Sequence, residues 1–175
     1  MIFKCLKLKK IDSTNNEAIR LIKTGKTKPQ IILTSHQTKG KGRYGKKWVS
    51  VKGNLYMSLF FEISKSVSLK KITKINCDLV KKSIKKFVKN VKVKLPNDIL
   101  IKKKKICGIL QETIMLKGRK FIIIGIGVNI KDSPKNLKYD TSFINEHTNK
   151  KISRMLVFNT IKRNFEKKCE YVHSR

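Results

Sequence analysis

The amino-acid sequence predicts an α+β domain in which a mixed, largely antiparallel sheet is flanked by helices. Three observations carry this. Apolar runs of strand length outnumber those with helical period. Two of the strands, GILQETIML and KFIIIGIGV, are separated only by Lys117 and Gly118, a hairpin signal that makes antiparallel neighbours. The helical segments set apolar residues on one face and lysines on the other, the pattern of helices laid on a sheet.

Taken in order, Ile2, Lys4, Leu6 and Leu8 open a β-compatible stretch that ends at Lys9 and Lys10. Thr14 and Glu17 then stand at the T-x-x-E spacing of a capping box, and Ala18, Leu21 and Ile22 recur at helical spacing until Gly25. QIILTS, after Pro29, reads as a buried strand. Lys39 to Lys47 spell KGKGRYGKK, with three glycines and five cations, and neither a helix interior nor a packed strand tolerates that composition, so the segment is a loop. NLYMSLFFEI is a strand. Leu69, Ile72, Ile75, Leu79, Val80, Ile84, Phe87 and Val88 mark one face of a long helix whose lysines lie largely on the other. After the hairpin, Ser153 is placed to cap a last helix with Leu156, Val157, Ile161 and Phe165 on its apolar face.

A chain of 175 residues with 39% hydrophobic and 31% charged residues is globular and fits one domain spanning residues 1–175. Its net charge is +32, from 43 Lys and Arg against 11 Asp and Glu. Such a charge suits a polyanionic partner. Lysine is spread along the whole chain, however, which favours compositional bias over dedicated nucleic-acid binding. The four cysteines, at 5, 77, 107 and 169, form no CxxC pair and have no histidine at ligand spacing, which argues against a zinc site and a disulfide framework. MIFKCLKLKK interleaves lysines with its apolar residues, unlike a signal peptide, and no later run reaches membrane-spanning length. A soluble, cytoplasmic protein with reduced thiols is expected.

Gly40, Gly42 and Gly45 spell GxGxxG, but the loop runs into a strand, whereas a dinucleotide fingerprint needs a helix N-terminus behind it. Its glycine N–H groups and neighbouring cations suit a phosphate or carboxylate; a flexible basic surface loop is the competing reading. In KLPNDI, Asn97 and Asp98 present an amide and a carboxylate at the head of a strand, either for a nucleotide or Mg²⁺ or as ordinary turn chemistry. Lys105 adjoins ICGIL and is held nearer to structure than the lysines at 102 to 104, although by position alone a solvated lysine competes. Gly125 and Gly127 mark either a close approach to the backbone or a strand end.

Six motifs in order, DSTN at 12–15, Gln37 with GKGRYGKKW at 40–48, GNLYMSL at 53–59, KLPNDIL at 94–100, KICGILQE at 105–112 and GIGVNI at 125–130, together resemble the biotin protein ligases, also called biotin-[acetyl-CoA carboxylase] ligases. The match spans residues 8 to 131. It implies a catalytic core similar to that of class II aminoacyl-tRNA synthetases, ATP with Mg²⁺ and biotin as substrates, and transfer of biotin to a lysine of a biotin carboxyl carrier domain of acetyl-CoA carboxylase or a related carboxylase. It further implies that Ser13, Thr14, Asn15 and Gln37 hold the ureido ring of biotin, and that Gly40, Lys41, Gly42 and Arg43 form a ligand-closing loop on the biotin carboxylate and the phosphates. Trp48 then covers the ligand, Lys105 binds the reacting carboxylate and α-phosphate, and Asn97, Asp98 and Asn129 place ATP and the adenylate, with Mg²⁺ near Asn97 and Asp98 and no metal motif of its own. Lys105 and Arg43 are the catalytic pair.

No Ser-His or Cys-His arrangement stands out in the sequence, in keeping with a route that needs no covalent enzyme intermediate. Lys41 replaces the family's usual Arg, losing a bidentate fork. Leu95 replaces a Trp, which implies looser packing beneath the nucleotide. The expected domain has neither an N-terminal helix-turn-helix, so specific DNA binding is not expected, nor the family's small C-terminal β-barrel. Family members often pair as dimers through sheet edges, which adds a second copy of the chain to the implied partners. Two alternatives differ in class: a lipoate-type protein ligase sharing the fold, and a catalytically weakened basic nucleic-acid-binding module.

Overall fold

A computed structural model describes residues 1–135 and 137–169. Seven strands form one sheet: β1 (Lys4–Ile11), β2 (Gln30–Gln37), β3 (Leu55–Ile63), β4 (Val91–Lys94), β5 (Asp98–Ile101), β6 (Lys104–Leu116) and β7 (Arg119–Val128), in the order β1-β2-β3-β7-β6-β5-β4. Only β1 and β2 pair in parallel, across the helix α1 (Thr14–Lys23); all other neighbours are antiparallel. The helices α2 (Leu69–Ile84) and α3 (Arg154–Cys169) pack together against the opposite face. The sheet and helices expected from sequence are present, as a mixed and mostly antiparallel α+β fold.

Alternation along the central strands divides the core. On β3, Leu55, Met57, Leu59, Phe61 and Ile63 face α2 and α3 together with Ile122, Ile124, Ile126 and Val128 of β7. The other side chains face α1, where Phe60, Phe121, Ile123 and Ile32 bury Ala18, Leu21 and Ile22. Each large aliphatic side chain so buried contributes about 1.5–3 kcal/mol. Toward the other end of this α1 face the side chains shrink. Ser58 pairs with Gly125, which also faces Leu110, and Tyr56 pairs with Gly127, which faces Gly108. A cavity opens where this layer loses its bulk.

Several elements differ from expectation. The capping box of α1 does not form: Ser13 is the N-cap, without a side-chain cap bond, and Glu17 pairs with Arg20 instead. Thr14 spends its hydroxyl elsewhere, as shown below. The helix α2 stops at Ile84, so Phe87 and Val88 lie beyond it. Leu156 is half-exposed, whereas Val157, Ile161 and Phe165 are buried; Ser153 does accept from Leu156 N, at 3.2 Å. Of the hairpin β4–β5, the strand headed by Asp98 is expected from the sequence and β4 is not. Its turn into β6 uses Lys102 and Lys103 at φ 46° and 65°, where turn signals expect Gly or Asn. The Lys117-Gly118 turn has both residues at positive φ, as its sequence suggests.

Among the described residues, Cys5, Cys77 and Cys107 are free; the side chain of Cys169 lies outside the description. Burial pushes the Cys77 thiol up to about 11, with Asp78 and Asp98 adding to the shift. No described helix is long and apolar enough to cross a membrane.

Candidate active site

A cavity of about 410 Å³ lies on the α1 face, within the range of small-molecule sites. Its walls bring together Ser13, Thr14, Asn15 and Gln37 at one end and Asn97, Asp98 and Lys105 at the other, with Lys41, Gly42, Arg43 and Trp48 over it. Two of the expected site residues lie off these walls. Gly40 borders a second opening on the far side of the 40–48 segment, and Asn129 is buried in the scaffold. Asn129 donates from its backbone N to Ile106 O at 2.8 Å and from Nδ2 to Ser142 O at 3.1 Å, so its amide anchors a chain crossing instead of facing the cavity.

The blind end is a row of buried polar side chains. Gln37 Oε1 accepts from Thr14 N at 2.8 Å and from Thr14 Oγ1 at 3.0 Å. Ser58 Oγ lies 2.7 Å from Thr14 Oγ1 and 2.5 Å from Asn15 Oδ1. Three contacts thus share two hydroxyl protons, so one oxygen pair has no hydrogen between it. A ligand bringing N–H donors meets acceptors here. A Cβ at Gly125 would collide with Asn15 Oδ1, so glycine is what seats that amide on the sheet. Asp12, at the entry to α1, takes Arg20 Nη2 at 2.7 Å and Asn16 Nδ2 at 2.8 Å. The Arg20 bond holds Asp12 well below the usual carboxylate range.

The 40–48 segment folds as a small flap. Lys41 and Lys47 bridge, Gly42 N donates to Lys46 O at 2.7 Å, and Trp48 N donates to Gly40 O at 2.9 Å. Its tip carries Tyr44 at φ 55°, 86% exposed. Arg43 reaches across to Asn97 Oδ1 at 3.3 Å, while Asn97 Nδ2 donates to Ile109 O at 2.9 Å and fixes that amide to β6. Trp48 lies on the cross-strand pair Gly108 and Gly127, where a Cβ would come within 2.6 Å and 2.5 Å of its ring. The indole therefore rests on the sheet as part of the cavity wall, and its Nε1 is buried without a hydrogen-bond partner among the described residues.

Lys105 is held rather than solvated. Its Nζ is 2.8 Å from Asp98 Oδ1, with side-chain exposures of 16% and 25%, and lies 5.4 Å and 5.1 Å from the ring centres of Trp48 and Tyr139. Ring faces and a carboxylate both stabilise the ammonium. The segment 139–142 runs beside it, with Lys105 N donating to Asp140 O at 2.9 Å and Ser142 N to Lys105 O at 3.0 Å. Leu95 is 69% exposed and is not among the side chains that line the cavity.

Sequence reasoning missed Ser58, Glu112 and Tyr139. Ser58 and Glu112 had a signal, as polar residues at positions that strand alternation turns toward α1; Tyr139, in an irregular segment, had none. It also missed a Ser-His contact: Ser142 Oγ lies 2.6 Å from His147 Nε2 and 2.5 Å from Glu146 Oε2. Ser142 is fully buried and off the cavity, so this trio fastens the 142–147 turn and offers no accessible nucleophile. Among the described residues no three or more His, Cys, Asp or Glu are grouped to hold a metal ion.

Residues 8–129 match the Biotin/lipoate A/B protein ligase family. Among similar proteins, the Bifunctional ligase/repressor BirA of Bacillus spizizenii is 32% identical over 168 residues, covering 90% of this chain and 51% of that protein. The Biotin--[acetyl-CoA-carboxylase] ligase of Paracoccus denitrificans is 28% identical over 140 residues, or 73% of this chain and 55% of that one. The chain thus spans about half the length of the curated relatives it matches. The structure of the biotin protein ligase from Aquifex aeolicus in complex with biotin and ATP superposes with a TM-score of 0.82 at 26% identity, covering 98% of this chain and 72% of that one.

Proposed function

This chain belongs to the biotin/lipoate A/B protein ligase family, and from that premise we propose that it is an ATP-dependent biotin protein ligase, joining biotin to AMP and passing the biotinyl group to a lysine of a biotin carboxyl carrier domain. One observation carries the reading. A single cavity has a buried hydrogen-bonding end at Thr14, Asn15 and Gln37 and a cationic end at Lys105 and Arg43. That polarity fits an acid with a ureido head, an apolar chain and a carboxylate. The lipoyl head has no N–H groups to offer this row, and leaving buried polar groups unpaired costs about 1–3 kcal/mol each.

In the first step a carboxylate oxygen of biotin attacks the α-phosphorus of ATP. A C–O–P linkage forms, the bond from the α-phosphorus to the bridging oxygen breaks, and pyrophosphate leaves. Lys105, steadied by Asp98, lies between the two negative groups, and Arg43, steadied by Asn97, lowers the charge on the phosphates. Mg²⁺ would enter as part of the ATP complex, where it would neutralise phosphate charge, with Asn97 and Asp98 the polar groups at that end of the cavity. In the second step a neutral lysine amine of the carrier attacks the anhydride carbonyl, AMP leaves with the electron pair, and the nitrogen releases a proton to solvent.

The test is incubation with biotin and millimolar MgATP, reading pyrophosphate and biotinyl-AMP, with lipoate as the competing acid. Biotin should exceed lipoate in kcat/KM by about 10³-fold or more, in line with sites that pair a substrate's polar groups. No adenylate, or equal use of the two acids, would sink the proposal. Adding a biotin carboxyl carrier domain then tests the transfer.

A further inference from the structure

Glu112 stands where a carboxylate is out of place. On β6 it faces α1 between Leu110 and Ile114, in the row that β7 and β3 fill with Ile123 and Phe60. Leaving an acid there is costly unless it is paired. Its partners lie on two parts of the site that belong to different elements. Asn15 Nδ2 donates to Glu112 Oε2 at 2.6 Å, and Lys41 Nζ of the flap lies 4.0 Å from Oε1. The carboxylate sits at the edge of the second opening, 31% exposed, between the polar row and the flap.

The Asn15 amide is framed on three sides. Gly125 lies beneath it, Ser58 Oγ is 2.5 Å from its oxygen, and Glu112 takes its nitrogen. Ser58 can serve an amide oxygen or an amide nitrogen, because a hydroxyl both donates and accepts; an ionised carboxylate can only accept. Glu112 is therefore the group that decides which end of the amide points which way. We infer that Glu112 is a positioning residue for acid recognition, locking the Asn15 amide in one orientation and holding the flap through Lys41 until an anionic ligand draws that cation away. The inference rests on the biotin-ligase reading and adds to it the residue that sets the hydrogen-bonding pattern of the blind end.

Two variants separate this from a structural role. Glu112→Met fills the apolar row with a side chain of similar length and removes the acceptor. Glu112→Gln keeps an acceptor oxygen for Asn15 and removes the charge; its NH2 can also donate, so it fixes the amide less firmly than the carboxylate but leaves it paired. Trp48, the only tryptophan of the chain, reports on the cavity by fluorescence during titration with biotin. Glu112→Met should weaken biotin binding about tenfold while its thermal midpoint stays within about 4 °C of the parent's, the added apolar side chain offsetting the acceptor lost to Asn15, and Glu112→Gln should bind within about threefold of the parent. In both variants amide exchange of residues 40–47 without ligand should quicken severalfold. Parent-like titration of Glu112→Met, or equal losses in the two variants, overturns the inference. Absence of a saturable signal in the parent protein instead overturns the biotin-ligase reading on which it rests.

Discussion

Replacing Lys105 with alanine separates catalysis from folding. The ammonium is 2.8 Å from Asp98 Oδ1 and only 16% of its side chain is exposed, so it is preorganised where charge would develop between carboxylate and α-phosphate. Removing one such group costs about 10²–10³ in rate, or roughly 2.7–4 kcal/mol. The fold loses less. A fully buried pair broken on one side costs about 3–5 kcal/mol, but Asp98 opens on the cavity, where water can solvate it, so about 1–2 kcal/mol is expected. For a domain of this length that lowers Tm by about 2–8 °C. Pyrophosphate release with saturating biotin and MgATP gives the first number and thermal unfolding the second. Lys105→Ala combined with Asp98→Asn removes the orphaned carboxylate, so Tm should recover while adenylation stays low. Adenylation within about threefold of the parent in Lys105→Ala, or restored by the double change, would refute the assigned role.

Other outcomes follow from particular contacts. Gly127→Ala places a Cβ 2.5 Å from the Trp48 ring, so the indole must leave the sheet; its emission should shift to the red and adenylation should fall at least about tenfold. Amide exchange across residues 40–47 should slow when biotin and MgATP are added together, since without ligand the flap is tied to the rest of the domain by the Arg43–Asn97 bond and the long Lys41–Glu112 pair. Asp12, held well below the usual carboxylate range by Arg20, contributes stability that is full above its unfolded pKa of about 3.9 and is lost as pH falls through its lower folded value. Urea unfolding should therefore show Asp12→Asn about 1 kcal/mol less stable at pH 7, allowing for the half-exposed Arg20, and the gap should narrow as pH falls below about 4.

Much of the fold was legible because the central strands keep apolar runs of strand length. β3 and β7 are buried on both faces and read as apolar runs, and the Lys117-Gly118 turn between β6 and β7 carries its own signal. The β4–β5 hairpin was legible only in part. The Pro-Asn-Asp turn and the strand behind it carry a signal, but β4 has only four residues, and the turn from β5 into β6 sets Lys102 and Lys103 at positive φ with no Gly or Asn to mark it. The capping box misled for a different reason. Thr14 and Glu17 have the right spacing, but the Thr14 hydroxyl sits among Gln37 and Ser58 and Glu17 is taken by Arg20, so tertiary partners win over the local motif.

The site was legible in its glycines and cations, less so in what positions them. Gly125 and Gly127 could be read as points of close approach, yet only the register shows them aligned with Gly108 on one face, with Asn15 and Trp48 filling the space the missing side chains leave. Asn129 belongs to the same motif as Gly127 but turns its amide inward to Ser142 O, because β7 ends there and the chain needs an anchor for its crossing. Charge shows the same division. With 43 basic residues on the chain, a lysine carries little information by type alone. Lys105 is distinguished by its acceptor: one of only 11 acids lies 2.8 Å away, and a carboxylate so scarce is informative wherever it is buried. The same logic singles out Glu112, which takes the Asn15 amide of the polar row. In a chain this basic, an acid beside the cavity is informative, because it fixes a cation or an amide that solvent would otherwise leave free.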